Sequence, residues 1–207
     1  MAGNLIIAIN RQYGSGGKEI GTKVAKELGI PIYDQEIPEL AAKKSGIRKD
    51  YFEKVDEKPT DSFLYALAMN TFSMNGTMNP FDNTLSSDRL FNIQAEVVKD
   101  IAKEGSCVII GRCAEYILRD EARCLSFYIC ASMEKRIERI VRLYKLSEKE
   151  AQKRITSIDK KRASYYGYYA GKEWNSCTSY DLSVDSGILG VEKTAELIKN
   201  YIDLRTK

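Results

Sequence analysis

The ten residues NRQYGSGGKE at 10–19 constrain the fold more than any other stretch of the chain. They follow the apolar run LIIAI and precede the amphipathic stretch IGTKVAKELG. A buried strand, a glycine-rich turn and a helix, in this order, form a unit that binds phosphate on backbone N–H groups at the helix N-terminus. The sequence therefore predicts an anion-binding loop at the start of the first helix.

This loop departs from the usual motif G-x-x-x-x-G-K-[ST]. If Lys18 is the motif lysine, Gln12 stands at the first glycine and Glu19 at the hydroxyl residue that binds Mg²⁺. A second register, which we favour, follows from the helix phase, because the motif lysine lies three positions before the first core-facing residue, here Ile20. It puts Gly17 at the lysine position and rotates Lys18 by about 100° around the helix. Glu19 would then contact Mg²⁺ through a water molecule, or its negative charge would stabilise the N-terminus of the helix.

The backbone cradle for phosphate survives in the favoured register. Gly14 and Gly16 keep the glycine positions of the motif, with Ser15 between them. The missing lysine charge would come from the displaced Lys18, from Arg11 or from an arginine that closes over the site.

The rest of the chain alternates apolar runs with amphipathic stretches. Strands that are apolar throughout and alternate with helices indicate a parallel sheet covered on both faces. We predict one α/β domain over 1–207 with five parallel strands. The predicted strands are 4–9, 30–34, 106–113, 123–131 and 180–187, and the predicted helices are 17–28, 35–46, 61–71, 88–104, 132–146 and 190–204.

The composition excludes several kinds of chemistry and partner. The chain has no histidine, which excludes Ser-His and Cys-His catalysis and most zinc sites. The net charge of +3 with mixed signs gives no reason to expect nucleic acid or a membrane as partner. Five irregularly spaced cysteines without a CxxC pair predict buried free thiols in a reducing cytoplasm. We therefore expect a cytoplasmic protein that uses carboxylates, lysine, arginine and backbone dipoles.

Four stretches follow the carboxyl ends of the predicted strands, where parallel sheets bind ligands. They are the loop at 10–18, Asp34, Arg112 and the helix that begins at Ser132. A phosphate loop, an acid and several arginines without a nucleophile–base pair fit phosphoryl transfer, which needs positioning and charge stabilisation. Alternatively, Asp34 caps the next helix, and Arg112 marks the point where its strand reaches solvent.

The order of these features resembles the cytidylate kinase-like branch of the nucleoside monophosphate kinases. The resemblance runs from LIIAIN to AELIKNYI, through VIIGRCAEYILRDEARCLSFYICASMEKRIERI, the Asp-x-x-Arg of IDKKR and DLSVDSGILGVEKTAELI. It implies a three-layer P-loop kinase fold with an acceptor-binding region at about 35–87 and a mobile lid at about 147–173. It also implies ATP and Mg²⁺ as cofactors and a nucleoside monophosphate, CMP or dCMP, as the small-molecule substrate.

The resemblance assigns roles to single residues as well. Asp159 would help to recognise the base, and Arg112 and Arg136 would hold the monophosphate. Asp34, at the end of its strand, is a further candidate substrate-binding residue. Arg162 and the nearby Arg154 would close over the transferring phosphoryl group. No side chain is assigned as a metal ligand. The residues expected at the ATP phosphates are Gly14, Ser15, Gly16, Gly17 and Lys18, the last also in a catalytic role.

Three departures from the family pattern concern the acceptor. Cys113 stands where an acid normally follows Gly-Arg, QEIPE replaces a segment that touches the monophosphate, and ASYYGYYAGKEW replaces a proline-containing run. The alternatives are a kinase of another small metabolite and a nucleotide-binding regulator or sensor with no turnover. The Met-rich stretch 63–81 is either a subunit contact in a homodimer or part of the acceptor-binding region.

Overall fold

Five strands form in the computed structural model, which describes residues 3–55 and 87–206. All pair in parallel, in the order β2-β3-β1-β4-β5. The five-stranded parallel sheet predicted from the apolar runs is therefore confirmed, and its central strand leads into the glycine-rich loop. The strands are β1 (Ile6–Arg11), β2 (Ile32–Tyr33), β3 (Cys107–Ile110), β4 (Cys124–Cys130) and β5 (Leu182–Asp185).

Helices cover both faces of this sheet, as expected for strands that are apolar throughout. One face packs against α1 and α8, and the other against α2 to α5. The predicted helix at 61–71, the stretch 63–81 and much of the expected acceptor-binding region lie outside the described residues. The helices are α1 (Gly17–Leu28), α2 (Glu36–Ser45), α3 (Lys49–Val55), α4 (Ser87–Glu104), α5 (Ala114–Ile117), α6 (Met133–Tyr144), α7 (Glu148–Ala170) and α8 (Ser186–Thr206).

The central strand divides the core by the alternation of its side chains. Ile7 and Ile9 pack with the residues of α1 and α8, whereas Ile6 and Ala8 pack with those of α2, α4 and α5. Successive side chains of a strand point to opposite faces. The next residue of this series on the α1 face is Arg11, at the end of the strand.

The segment predicted as a lid consists mainly of one 23-residue helix, α7. A capping box begins it, because the Ser147 hydroxyl accepts the Glu150 N–H and the Glu150 carboxylate accepts the Ser147 N–H. Ala151 and Ile155 pack on Ile140 of α6. The other end of α7 enters a cluster of buried aromatic residues, which are Tyr128, Tyr165, Tyr166, Trp174 and Tyr180. Both halves of the helix are thus packed, and lid movement stays a prediction.

The cysteines are all free thiols. Cys107 is buried in β3, and this burial raises its pKa to about 11. Cys124 and Cys130 at the two ends of β4 are half-buried, and Cys177 is exposed.

No helix within 3–55 and 87–206 is long and apolar enough to cross a membrane.

Glu115 of α5 lies against the aromatic cluster, under Tyr166. Burial raises the pKa of its carboxyl group to about 7. Its Oε1 atom is buried and has no hydrogen-bond partner among the described residues. The carboxyl group is therefore mainly neutral below about pH 7, because desolvation penalises the charged form.

This buried carboxyl makes stability pH-dependent. Between pH 4.5 and about 7 the folded protein retains a proton on Glu115 that the unfolded chain releases, so the free energy of unfolding falls as pH rises through this window. The full difference is on the order of 3 kcal/mol. Glu115→Gln should remove this part of the pH dependence, measured by urea unfolding at pH 5 and pH 8. Equal pH dependence in the two proteins would contradict the assignment.

Candidate active site

The loop between β1 and α1 has the backbone geometry of an anion cradle. Gly14 and Gly16 adopt φ values of +87° and +83°, in the left-handed region that glycine populates without steric cost. The Gln12 carbonyl accepts the Ser15 N–H at 3.2 Å and the Ser15 hydroxyl at 2.9 Å. α1 begins directly after this turn, at Gly17. Its first N–H groups have no partner within the helix, and its dipole favours an anion there.

The helix phase used to choose the loop register is confirmed. Gly17, Ile20 and Val24 are buried on one side of α1. Lys18 lies on the outer side, and its side chain is 61% exposed. In the favoured register no lysine stands at the motif position, and Lys18 lies on a different face of the helix from Gly17.

Lys18 forms an ion pair with Asp34, which follows β2. The distance between Lys18 Nζ and Asp34 Oδ2 is 2.7 Å. Asp34 is not the cap of the next helix, because Gln35 holds the N-cap position of α2 and makes no side-chain cap bond. The carboxylate of Asp34 instead faces the loop, as the functional interpretation expects.

Arg112 follows β3 and is buried, with only 4% of its surface exposed. Its Nη1 donates to Gln94 Oε1 at 3.0 Å, and its Nη2 lies 3.5 Å from the Asp34 carbonyl oxygen. The interpretation of Arg112 as a strand exit to solvent is therefore wrong. Gly111, Arg112 and Cys113 all adopt positive φ values. Non-glycine residues are held in this region at an energetic cost, which is typical of functional sites.

Arg136 of α6 and Asp159 of α7 form an ion pair with each other. Asp159 Oδ1 accepts the Tyr13 N–H at 2.8 Å, and Arg136 Nη1 lies 3.5 Å from the Tyr13 carbonyl oxygen. The pair thus holds the loop backbone on both sides of Tyr13. Neither residue lies on the wall of the cavity above the loop. Their predicted roles in binding the monophosphate and the base stay predictions.

The two arginines expected from α7 differ in position. Arg162 lies on the cavity wall, and its Nη1 donates to the Arg11 carbonyl oxygen at 3.0 Å. The Arg154 guanidinium lies 4.3 Å from the ring centroid of Tyr144 and 5.5 Å from that of Tyr13. Arg154 is thus close to the loop, although it does not line the cavity.

Arg139 of α6 is a site residue that the sequence interpretation missed. A Cβ atom placed on Gly16 would lie 3.2 Å from the Arg139 Cζ, so the guanidinium lies directly over the loop. Its partner is the Glu19 carboxylate at the start of α1. The sequence does contain a sign of this role. Arg139 follows Arg136 by three residues, so both arginines lie on the same face of the helix.

An open cavity of about 860 Å³ joins these elements. It is strongly basic, because Arg11, Arg112, Arg139 and Arg162 all contribute to its wall. On one side it reaches Asp34 and Arg112, and on the other it reaches the outer end of α6 and the first turns of α8. The residues at this second side are Leu143, Tyr144, Val191 and Glu192.

The donor set fits ATP better than a protein-held metal. The glycine cradle and the arginines suit the phosphates. Within 3–55 and 87–206 no group of three or more acidic, cysteine or histidine side chains could hold a metal ion. Two carboxylates of the cavity wall, Glu19 and Asp34, are both ion-paired. Mg²⁺ with ATP would then be held by phosphate oxygens and water, with carboxylates beyond the water, as is common for this ion.

The parallel sheet with a glycine-rich loop after its central strand, together with arginines that converge above the loop, defines a P-loop kinase fold. The chain belongs to the cytidylate kinase-like family, whose model matches residues 6–188. Two curated relatives are cytidylate kinases. That of Methanopyrus kandleri is 23% identical over 97% of this chain and 94% of its own. The cytidylate kinase of Pyrobaculum islandicum is 26% identical, and the match covers 96% of this chain and 92% of that protein. These matches support nucleotide kinase activity in general.

Solved structures agree on the fold. An uncharacterized protein from Eubacterium ventriosum is 25% identical, with a TM-score of 0.72, over 96% of this chain and 98% of its own. Shikimate kinase from Bacteroides thetaiotaomicron is 11% identical, with a TM-score of 0.53, and the match covers 96% of this chain and 98% of that chain. The second likeness shows the P-loop kinase fold alone.

Proposed function

We propose that the chain catalyses ATP- and Mg²⁺-dependent phosphoryl transfer to a nucleoside monophosphate, with CMP or dCMP as the acceptor. One observation carries this proposal: a single cavity has the glycine cradle on its floor and the buried Arg112 on its wall. The cradle suits the phosphates of the donor, and Arg112 suits the phosphate of an acceptor.

The donor would lie along the first turn of α1. The N–H groups after Gly16 would bind the β- and γ-phosphates, because helix N-termini favour anions. The nucleoside would extend toward Leu143, Val191 and Glu192, the side of the cavity away from Arg112. Mg²⁺, when bound with ATP, would neutralise part of the charge on its phosphates.

The acceptor phosphate would bind Arg112 from inside the cavity. A guanidinium group binds phosphate through two parallel hydrogen bonds, and it stays charged when buried. Gln94 fixes one edge of the guanidinium through the 3.0 Å hydrogen bond. The acceptor oxygen is then aimed at the cradle, and the gain comes from positioning rather than from covalent chemistry.

An ionised phosphate oxygen is already a nucleophile and needs no general base. This agrees with a chain that has no histidine. As charge spreads over the transferring group, Arg139 and Arg162 on the cavity wall would neutralise it. Both arginines would also exclude water, which would otherwise hydrolyse ATP.

A second candidate, a kinase of a hydroxyl-bearing metabolite, rests on Asp34. Its carboxylate lies on the cavity wall, 2.7 Å from Lys18. A carboxylate in this position could take the proton from a hydroxyl acceptor, which a phosphate acceptor does not require.

Turnover with a panel of acceptors tests the proposal. ADP release would be followed with Mg²⁺-ATP and, separately, CMP, dCMP, UMP, AMP, GMP and shikimate. The expected result is that CMP or dCMP gives the highest kcat/KM. Transfer only to shikimate would favour the second candidate. ATP binding without transfer to any acceptor would contradict the proposed kinase activity and would indicate a nucleotide-binding regulator or sensor.

A further inference from the structure

The arginine at the end of β1 lies where a phosphate loop needs its cation. Arg11 continues the series of Ile7 and Ile9, whose side chains lie on the α1 face of the sheet. Only 9% of its surface is exposed. It nevertheless contributes to the cavity wall, together with Gly16 and Gly17 of the loop. Its side chain therefore runs from beneath the helix N-terminus to the proposed phosphate site.

Gly17 is required at its position by the Arg11 side chain. A Cβ atom on Gly17 would overlap the Arg11 Cβ and would lie 3.0 Å from the Arg11 Cγ. The Arg11 Cβ cannot move aside, because it is bonded to the backbone of the central strand. Gly17 is not among the residues with positive φ, so its backbone conformation does not require glycine. A side chain at position 11 and a side chain at position 17 thus exclude each other.

The motif G-x-x-x-x-G-K has the same two positions with opposite occupants. Its first glycine precedes its lysine by six residues. With the lysine position at Gly17, the first glycine falls on Arg11. A standard loop therefore has glycine first and the cation second, whereas this chain has the cation first and glycine second. The Arg11 stem fills the space that a lysine stem at position 17 would take.

We propose that Arg11 is a catalytic residue that binds the ATP phosphates in place of the motif lysine, an inference that rests on the proposed function. Arginine suits this buried strand end better than lysine, because burial lowers the pKa of a lysine whereas arginine stays charged. Its planar guanidinium also binds phosphate oxygens through two hydrogen bonds. Lys18, the alternative, is 61% exposed and is held by Asp34.

Exchange of the two occupants tests this proposal. Arg11→Met keeps most of the packed stem and removes the charge, so kcat/KM for ATP should fall by about 10²- to 10³-fold. The matched control Arg205→Met, on α8 beside Tyr201, should stay within about twofold of the parent. Lys18→Met, which removes a largely exposed cation, should lose less than about tenfold. The double variant Arg11→Gly with Gly17→Lys restores the first glycine and the lysine of the motif, and it should recover at least about tenfold over Arg11→Gly alone.

ATP affinity, measured by calorimetry with Mg²⁺-ATP and with adenosine, separates this inference from the proposed function. Arg11→Met should weaken ATP binding by about tenfold or more and leave adenosine binding unchanged, whatever the acceptor is. Thermal melting of each variant identifies loss of folding, and Arg11→Lys gives a second variant that retains charge and stem. ATP affinity and turnover within threefold of the parent in folded Arg11→Met would overturn the proposal, as would failure of the double variant to recover.

Discussion

Replacing Arg112 with methionine is expected to lower kcat/KM for the nucleoside monophosphate by about 10³-fold. Arg112 is the buried cation that faces the cavity from β3, and its guanidinium is fixed by Gln94 at 3.0 Å. Without it the acceptor phosphate loses both its charge partner and its orientation. Steady-state kinetics with varied acceptor would show the loss, whereas ATP affinity by calorimetry should change less than about threefold.

The control for this variant is Arg119→Met. Arg119 is exposed two residues after the end of α5, and its guanidinium lies 4.5 Å from the ring centroid of Tyr116. We expect its kinetics to match the parent. Melting of Arg112→Met separates a local effect from unfolding, because the variant leaves the buried Gln94 oxygen without this donor. An unchanged KM for the acceptor would place the acceptor site elsewhere in the cavity.

Asp159→Asn should lower the free energy of unfolding by about 3 kcal/mol. Asp159 is the charge partner of Arg136, whose side chain is 7% exposed. The asparagine amide can still accept the Tyr13 N–H, but the arginine is left as a buried charge without its counterion. Arg136 Nε is already buried and lacks a hydrogen-bond partner within the described chain. Urea unfolding at pH 7 measures the loss.

Glu138→Gln is the matched control, on α6 two residues after Arg136. It removes an exposed ion pair with Lys135, whose atoms lie 3.0 Å apart, and should cost less than about 0.5 kcal/mol. The two variants therefore compare a pair beneath the loop with a pair on the surface. Unchanged stability in Asp159→Asn, with a raised KM for the acceptor, would instead support the base-recognition role that the family resemblance implies.

The sheet could be predicted because its strands are buried on both faces and are apolar almost throughout. The end of the central strand could not. The sequence suggested a strand at 4–9, but β1 runs to Arg11, since its ladder with β4 continues through Tyr128 and Ile129. A polar residue after an apolar run resembles a loop in sequence, although here it belongs to the strand and lies beneath α1.

The glycine-rich loop could also be predicted, because its chemistry is local and contiguous. The arginines above it were harder to assign. Arg136 and Asp159 are separated by 23 residues and lie on different helices, so their pairing depends on how α6 and α7 cross. Arginines spaced along one side of a helix are typical of a solvated face, and only the packing of α6 against the loop shows that Arg136 and Arg139 are covered.

The aromatic end of α7 illustrates the same limit. The family resemblance implies a mobile lid at about 147–173, which stays a prediction, and the helix of this segment has little amphipathic pattern to show which side is buried. In the fold, Tyr165 and Tyr166 enter a cluster with Trp174, so half of the segment belongs to the core. Such long-range packing is set by tertiary structure rather than by local pattern.

The central claim, phosphoryl transfer from ATP to a nucleoside monophosphate, is tested most directly by ³¹P NMR of the protein with Mg²⁺, ATP and CMP. Transfer predicts that the β-phosphorus signals of ADP and CDP grow together in equal amounts, and that both require the protein. Loss of ATP to ADP and inorganic phosphate, without a CDP signal, would contradict the claim, and so would an unchanged spectrum in the presence of CMP and dCMP.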